Sequence, residues 1–289
     1  MRTFVLSLAT VIIIAACGPG SGSESKKVRT DTTEADPSEV TIVATDYAFE
    51  APDTLEAGWT TFRLVNHGDL THEATLVRLE GNRTLSEYME AYGKAVRIGG
   101  ARPEWARFLG GPTGVEPHGE GTTTLYLEPG NYAWGCWAPD SDGTPHLLGH
   151  DQIRAFKVRP ARANAPAPSA PEHSITVGMH DYTFELRERL KAGKHVIRVE
   201  NMGVEPHHVL IFRLGPGRTM EDFQAWIQNH MQGEAPSTYV GGMATQSFGV
   251  EGYLELDLPA GEYILVCLVA GLDEVPHVAK GMIEHGHVE

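Results

Sequence analysis

The feature that most constrains this chain is an internal repeat. Residues 40–50 align with residues 175–185 at a constant offset of 135, and the alignment continues without a gap for about forty positions. Further along, the offset falls to 131 and places Cys136 on Cys267. Similarity of this length predicts that the chain folds the same unit twice.

The repeat and the composition around it divide the chain into five parts. A Gly/Ser/Thr and charged stretch with little apolar surface to bury precedes the first copy and is read as a flexible tether. A Pro/Ala-rich stretch separates the copies and is typical of an extended linker. The predicted parts are a leader (1–17), a tether (18–37), the first repeat (38–158), a linker (159–172) and the second repeat (173–289).

Within each repeat the apolar pattern is that of β-strands. Val40, Ile42 and Ala44 alternate with polar neighbours, which indicates a half-buried strand. One helix-like segment interrupts each repeat, at 84–92 and 219–227, and each opens with Thr followed three residues later by an acidic residue, as in a capping box. The fold class predicted is therefore all-β: two β-sandwiches of short strands, each with a short helical insertion.

The leader indicates an extracytoplasmic location. An apolar run at 4–14 is too short to span a membrane but suits the core of a signal peptide. It ends in Ile14-Ala15-Ala16-Cys17, which resembles the lipobox of bacterial lipoproteins. That resemblance implies cleavage before Cys17, attachment of lipid to this residue and a stable anchor in the membrane. We expect an extracytoplasmic lipoprotein on the periplasmic face, with the outer membrane slightly favoured; an ordinary secretory signal is the alternative.

Charge and cysteine content exclude other classes. The chain has 23 Lys+Arg against 38 Asp+Glu, a net charge of −15, which argues against binding to nucleic acid. An acidic surface would instead steer a basic partner, such as a c-type cytochrome. Three cysteines in 289 residues are too few for a disulfide-built scaffold. Each cysteine therefore needs its own explanation.

The second repeat carries a ligand set typical of a blue-copper site. His207 follows a predicted strand, Cys267 ends a later strand, and His277 and Met282 lie on the following loop. Two imidazoles and a thiolate form the trigonal plane of such a site, and a thioether lies at a longer axial distance. Soft sulfur donors suit Cu(I) and imidazole suits both oxidation states, so this set favours one-electron chemistry.

These residues resemble the cupredoxin family, and the resemblance covers both repeats. Nine residues separate Cys267 from His277 and four separate His277 from Met282, similar to the ligand loop of copper nitrite reductases. The Asn-x-Gly-x-x-Pro-His run ending at His207 resembles the first-ligand segment of plastocyanin-like proteins. The resemblance implies Greek-key sandwiches, one type 1 copper per repeat and electron transfer. It also implies equatorial ligation by His207, Cys267 and His277 and axial ligation by Met282.

The first repeat departs from the pattern at one place. His72, Cys136 and His146 match the three equatorial positions with the same spacing. The segment after His146 is one residue shorter and ends in His150 instead of Met. Either His150 is the axial ligand, or three protein ligands hold the copper, or the loop binds nothing. We expect a copper site whose potential is altered, because the axial ligand tunes that potential.

Two further points remain open in the sequence. Many cupredoxins place Asn directly after the first ligand histidine, whereas Glu73 and His208 occupy that position here, so the support it gives the cysteine loop is in doubt. Cys136 and Cys267 also have other readings, as buried apolar residues or as partners in a disulfide between the repeats.

Three functions fit the sequence. The favoured one is a copper-binding electron carrier, and its main rival is a copper-free structural or interaction module. A copper oxidase or nitrite reductase is the least favoured, because no histidine adjoins either cysteine to supply further copper. The flanking residues are Gly135 and Trp137 in the first repeat and Val266 and Leu268 in the second.

Overall fold

A computed structural model describes residues 37–98, 102–163 and 169–289. The leader with Cys17 and almost all of the tether lie outside the described residues. The first repeat contributes nine strands, which are β1 (Ser38–Thr45), β2 (Ala48–Glu50), β3 (Thr54–Glu56), β4 (Gly58–Asn66), β5 (Thr75–Leu79), β6 (Ala106–Gly110), β7 (Glu120–Leu127), β8 (Gly130–Gly135) and β9 (Ile153–Arg159).

The second repeat runs through a matching series of elements. Its strands are β10 (Ile175–His180), β11 (Thr183–Leu186), β12 (Gly193–Asn201), β13 (His207–Leu214), β14 (Ser237–Gln246), β15 (Glu251–Leu258), β16 (Gly261–Val266) and β17 (Ile283–Val288). The helices are α1 (Leu85–Ile98), α2 (His146–Gly149) and α3 (Met220–Gln228), together with a 3₁₀ turn at His277–Lys280.

These strands form two sheets, and each sheet contains strands from both repeats. One has the order β11-β10-β12-β15-β7-β4-β1-β2 and the other β17-β16-β13-β14-β6-β5-β8-β9-β3. In each repeat the first strand runs parallel to the long strand beside it, β1 with β4 and β10 with β12. The predicted all-β class with short helices is confirmed.

The core lies between the two sheets, as the strand periodicity requires. Phe62 and Leu64 on β4 point inward and are fully buried, and Phe62 meets Trp134 of β8 edge-on at 6.4 Å between ring centroids. The second repeat buries Val199 and Leu265 in the same way. The base of each cysteine loop, at Cys136 and Cys267, belongs to this apolar core.

The two helical insertions begin where the capping signal predicts. Thr219 accepts a hydrogen bond from the backbone N–H of Asp222, and the Asp222 carboxylate accepts one in return from the Thr219 N–H. Thr84 and Glu87 make the same reciprocal pair before α1. Each pair satisfies two N–H groups that the first helical turn leaves free.

The repeats meet edge to edge along both sheets. β15 pairs with β7 through Gly252 and Leu125, and β14 pairs with β6 through Gln246 and Leu109. A Cβ atom at Gly252 would lie 2.5 Å from the Leu125 Cδ2, so a larger residue here would require the Leu125 side chain to shift.

Candidate metal centres

A buried asparagine builds the loop that presents the first histidine of each centre. Asn201 ends β12, and its side chain donates to the carbonyl oxygens of Glu205 and Gln246 at 2.9 and 2.8 Å and accepts from the Gly203 N–H at 2.9 Å. These bonds fold the five residues between Asn201 and His207 into a tight turn that ends on β13. Asn66 makes the same three contacts before His72. The Asn-x-Gly motif is therefore what positions the first imidazole.

The centre of the second repeat brings together three of its predicted ligands. The Cys267 Sγ lies 3.9 Å from the His207 Nδ1 and 3.6 Å from the His277 Nδ1. The two Nδ1 atoms are 2.9 Å apart. All three residues are fully buried.

Carboxylates hold the outer nitrogens of both rings. The His207 Nε2 is 3.0 Å from the Asp181 Oδ1, and the His277 Nε2 is 2.9 Å from the Glu205 Oε2. An ionised carboxylate can only accept a hydrogen bond, so each Nε2 carries the proton and each Nδ1 of the neutral ring presents a lone pair. Two lone pairs and a sulfur thus converge on one small buried volume, which is a donor arrangement that favours a cation.

The centre of the first repeat has the same construction. The Cys136 Sγ lies 3.7 Å from the His72 Nδ1 and 3.5 Å from the His146 Nδ1. The Asp46 Oδ1 is 3.2 Å from the His72 Nε2, and the Asp140 Oδ1 is 3.4 Å from the His146 Nε2. Within the described parts of the chain, these two centres are the groups in which three His, Cys, Asp or Glu ligand atoms lie within 4.8 Å of one another.

The spacing of these atoms fits a metal ion with nitrogen and thiolate ligands. Bonds of about 2.0–2.1 Å to nitrogen and about 2.3 Å to sulfur, set about 120° apart, put each nitrogen about 3.8 Å from the sulfur. The sulfur–nitrogen separations of 3.5–3.9 Å bracket that value. The two nitrogens of the second centre are closer than the same geometry requires, so its rings would part slightly around a metal.

Burial changes the acidity of the site residues. It raises the pKa of the Cys136 thiol to about 12 and that of the Cys267 thiol to about 11, so both thiols hold their protons when no metal is bound. Burial also lowers the pKa of His146, His207 and His277, which keeps the imidazoles neutral and able to ligate. A metal ion would displace the thiol protons.

Glu73 and His208, which the sequence leaves in doubt, support the cysteine loops. The Glu73 carboxylate accepts from the Trp137 backbone N–H at 3.1 Å and from two threonine hydroxyls. The His208 Nε2 accepts from the Leu268 N–H at 2.8 Å, and burial lowers the His208 pKa to about 3, so the ring is neutral. Each side chain therefore ties the residue after the cysteine to the strand that follows the first histidine.

His150 does not join the centre of the first repeat. Its ring stacks on Tyr47, with 3.5 Å between centroids, and its Nε2 contacts the Asp140 Oδ2 at 2.7 Å. The side chain is 35% exposed at the outer edge of the loop. The structure thus places this predicted axial ligand outside the His72–Cys136–His146 group, because the α2 turn carries it away.

Met282 lies beside the second centre, and a residue that the sequence did not suggest takes the same place in the first. Met282 is fully buried; its N–H donates to the His277 carbonyl and its carbonyl accepts from the Cys267 N–H. In the first repeat Gln152 makes the same two backbone bonds, to His146 and Cys136. Gln152 is 1% exposed.

Sequence reasoning also missed the carboxylates behind the histidines. Asp46 and Asp181 occupy matching positions in the repeat, each followed by a tyrosine. Tyr47 and Tyr182 lie over the second histidines and donate to Asp140 and Glu205 at 3.2 and 2.8 Å.

The recurrence of Asp-Tyr in both copies was the available signal. In the sequence, this Asp-Tyr pair is typical of a turn that follows a strand. Only the fold shows that the turn lies against the ligand loop.

The structure also decides one alternative that the sequence left open for the cysteines. Both Cys136 and Cys267 are free, so the disulfide between the repeats is excluded. His285 and His287 lie on β17 beside Glu262. No helix among the described residues is long and apolar enough to cross a membrane.

Comparison with known proteins gives structural neighbours only. No protein-family model matches the chain, and no curated protein matches it. Reduced auracyanin from Roseiflexus castenholzii is 16% identical, with 39% of this chain and 94% of that one covered and a TM-score of 0.30. Auracyanin A, a blue copper protein from Chloroflexus aurantiacus, is 17% identical over 40% and 97%, with a TM-score of 0.28.

A further neighbour spans both repeats. It is described as a multicopper oxidase and is 14% identical, with 87% of this chain and 88% of that one covered and a TM-score of 0.25. Identities and scores this low do not transfer a function to this chain.

Proposed function

We propose that this chain is a two-domain, cupredoxin-like copper protein that transfers single electrons outside the cytoplasm. The observation that carries the proposal is the pair of buried triangles, each made of one sulfur and two Nδ1 atoms. Such a set, in which two imidazole lone pairs converge on a thiol that a metal ion can deprotonate, is costly to bury without a cation.

The residues that would hold copper are His72, Cys136 and His146 in the first repeat and His207, Cys267 and His277 in the second, with Met282 as a further ligand of the second. Bound copper would supply reversible one-electron chemistry, cycling between Cu(II) and Cu(I). The chain's own contribution is to fix the ring orientations through the carboxylates and to exclude water from the sulfur.

The rival reading, a copper-free module, explains the donor sets poorly. In an inert sandwich, apolar residues at these buried positions would stabilise the fold as well or better. Here each repeat instead holds three ligand side chains and a carboxylate behind each imidazole. We favour electron transfer over catalysis because the residues flanking Cys136 and Cys267 include no histidine that could serve a further copper.

The wider organisation belongs to the same proposal. We assign cupredoxin-like domains to 38–158 and 173–289, with a ligand loop similar to that of copper nitrite reductases. The lipobox-like end of the leader supports lipid attachment at Cys17 and a periplasmic, membrane-anchored location, with the outer membrane favoured. The net charge of −15 supports a basic redox partner such as a c-type cytochrome.

Copper titration of the full-length protein in detergent tests the proposal. We expect two equivalents of Cu(II) to bind, each giving an intense thiolate-to-copper band that dithionite bleaches and air or ferricyanide restores. Cys136→Ala and Cys267→Ala should each remove one equivalent and its band, and the double variant should remove both. The exposed His118 provides a control, since His118→Ala should bind two equivalents. A protein that binds no copper with thiolate character would refute the proposal.

A further inference from the structure

A second kind of ligand cluster lies at the edge of the β17-containing sheet, outside the two buried centres. β17 pairs antiparallel with β16, and this pairing sets His287 opposite Glu262 and His285 opposite Ile264. Alternate residues of a strand share a face, so His285, His287 and Glu262 project from the same face of the two strands. Their side chains are 47%, 58% and 43% exposed, which leaves all three accessible to solvent.

One carboxylate contacts both imidazoles of this cluster. The Glu262 Oε2 lies 2.8 Å from the His285 Nε2, and the Glu262 Oε1 lies 2.7 Å from the His287 Nδ1. An ionised carboxylate can only accept a hydrogen bond, so both facing nitrogens carry protons in the ion-free protein. Exposed ion pairs contribute little to stability, so stability gives little reason to gather these three side chains.

The first repeat shows that the fold does not require the cluster. Its last strand, β9, pairs with β8 in the same register in which β17 pairs with β16. The residues at the places of Glu262, His285 and His287 are Asn131, Ala155 and Lys157. This set offers no imidazole and no carboxylate. The ligand-type residues are therefore particular to the second repeat, and the strand pairing does not explain them.

Two imidazoles and a carboxylate are the ligands of a particular class of ion. Imidazole suits Zn(II), Cu(II) and Ni(II), whereas Mg²⁺ and Ca²⁺ prefer oxygen ligands alone. The three side chains include no sulfur, so they do not favour Cu(I) as a thiolate site does. Alternate residues of a strand lie about 7 Å apart, a spacing from which two imidazoles can reach one ion.

A second carboxylate lies near the cluster on α3. Hydrogen bonds from its own backbone and from Thr219 are the main causes of the lowered pKa of Glu221, and the charge of His285 adds to the effect. Glu221 belongs to the first turn of α3. Its negative charge adds to that of Glu262 and favours a cation at this edge of the sheet.

The cluster is more open than the buried centres. The ligand atoms of each buried centre lie within 4.8 Å of one another, and those of the cluster do not meet this limit. Exposed side chains change rotamer within nanoseconds. The two imidazoles can therefore close on an ion once it replaces the protons that face Glu262.

We propose that His285, His287 and Glu262 form a third metal site, which binds a divalent transition-metal ion that prefers imidazole, with Zn(II) as the test ion. On binding, the His285 Nε2 and the His287 Nδ1 give up their protons and bond to the ion, the Glu262 carboxylate supplies oxygen, and water completes the coordination. The site is open to solvent, so its ion exchanges readily. It uses neither cysteine and is independent of the proposed copper function.

Competition for Zn(II) between the full-length protein in detergent and a chromophoric chelator tests the site. Zn(II) also enters the buried centres, so the parent chain is compared with its variants. His285→Ala/His287→Ala should bind one equivalent less, and Glu262→Gln should weaken that equivalent by about tenfold or more. The matched control is His118→Ala, which breaks an exposed pair of one imidazole with Asp69 and should bind as the parent does. Equal binding by the parent and the double-histidine variant, or an equal loss in His118→Ala, would overturn the proposal.

Nuclear magnetic resonance of protein labelled with ¹⁵N-histidine identifies the bonding atoms. Zn(II) should shift the His285 Nε2 and His287 Nδ1 resonances, and unchanged resonances at saturating Zn(II) would overturn the assignment.

Transfer of the cluster to the first repeat tests whether its three residue types suffice. Asn131→Glu, Ala155→His and Lys157→His together should add one equivalent of Zn(II), and a folded triple variant without it would also overturn the proposal. The thiolate-to-copper bands should be the same in the parent and in His285→Ala/His287→Ala. Their absence from both chains would refute the copper function and leave the Zn(II) comparison unaffected.

Discussion

The two metal centres share their inner construction and differ at their edges. In both, an asparagine-built turn delivers one histidine, the end of a strand delivers cysteine, and an aspartate contacts the outer nitrogen of the first histidine. They differ in the turn after the second histidine, in the residue that returns to the cysteine, and in the side chain that ties down the cysteine loop. The shared parts bring the three side chains of each group together, and the differing parts close the loop around them.

The largest effect should come from the shared asparagines. Asn66→Ala and Asn201→Ala each remove two buried hydrogen bonds to carbonyl oxygens and strand a backbone N–H. We expect each to lower the free energy of unfolding of the metal-free protein by about 3 kcal/mol in urea denaturation. Asn131→Ala, which removes one exposed bond to the Arg83 carbonyl, should cost less than about 1 kcal/mol. If only one of the two substitutions lowered the free energy of unfolding by this amount, the two asparagines would not stabilise their turns in the same way.

The next effect concerns the carboxylates behind the first histidines. Asp46→Asn and Asp181→Asn keep the side-chain shape but remove the charge that faces His72 and His207. We expect copper affinity at the altered centre to fall by about 10- to 100-fold in competition with a chelator.

The matched control is Asp53→Asn, which alters an exposed carboxylate paired with Arg154 and should leave both affinities unchanged. If only one of the two aspartate substitutions lowered copper affinity, the two centres would also differ in the role of the carboxylate behind the first histidine.

The smallest effect should be that of His150→Ala. This substitution removes the stack on Tyr47 and the contact with Asp140 at a partly exposed site, so we expect a change within about 0.5 kcal/mol in the free energy of unfolding. Copper stoichiometry and the visible spectrum should stay as in the parent chain. Loss of copper from the first centre in this variant would show that His150 is a ligand, as the sequence suggests.

Much of the site was accessible from the sequence because its donors recur at fixed spacing. His72, Cys136 and His146 match their counterparts in the second repeat, and the structure brings both sets together. The residue whose backbone closes the loop of the first centre onto the cysteine was not accessible. Counting residues from His146 leads to His150, and only the helical form of the turn shows that the chain returns to the cysteine two residues later, at Gln152.

The sequence by itself determined the repeated strand pattern, the capped helices and the six side chains that the structure brings together in two groups, because these depend on local spacing and side-chain chemistry. Tertiary structure alone decided that Asp46 and Asp181 face the histidines and that both sheets run through both repeats. Those features arise from contacts between residues distant in the chain. Backbone geometry and burial determine which distant residues meet, and a local sequence pattern does not contain that information.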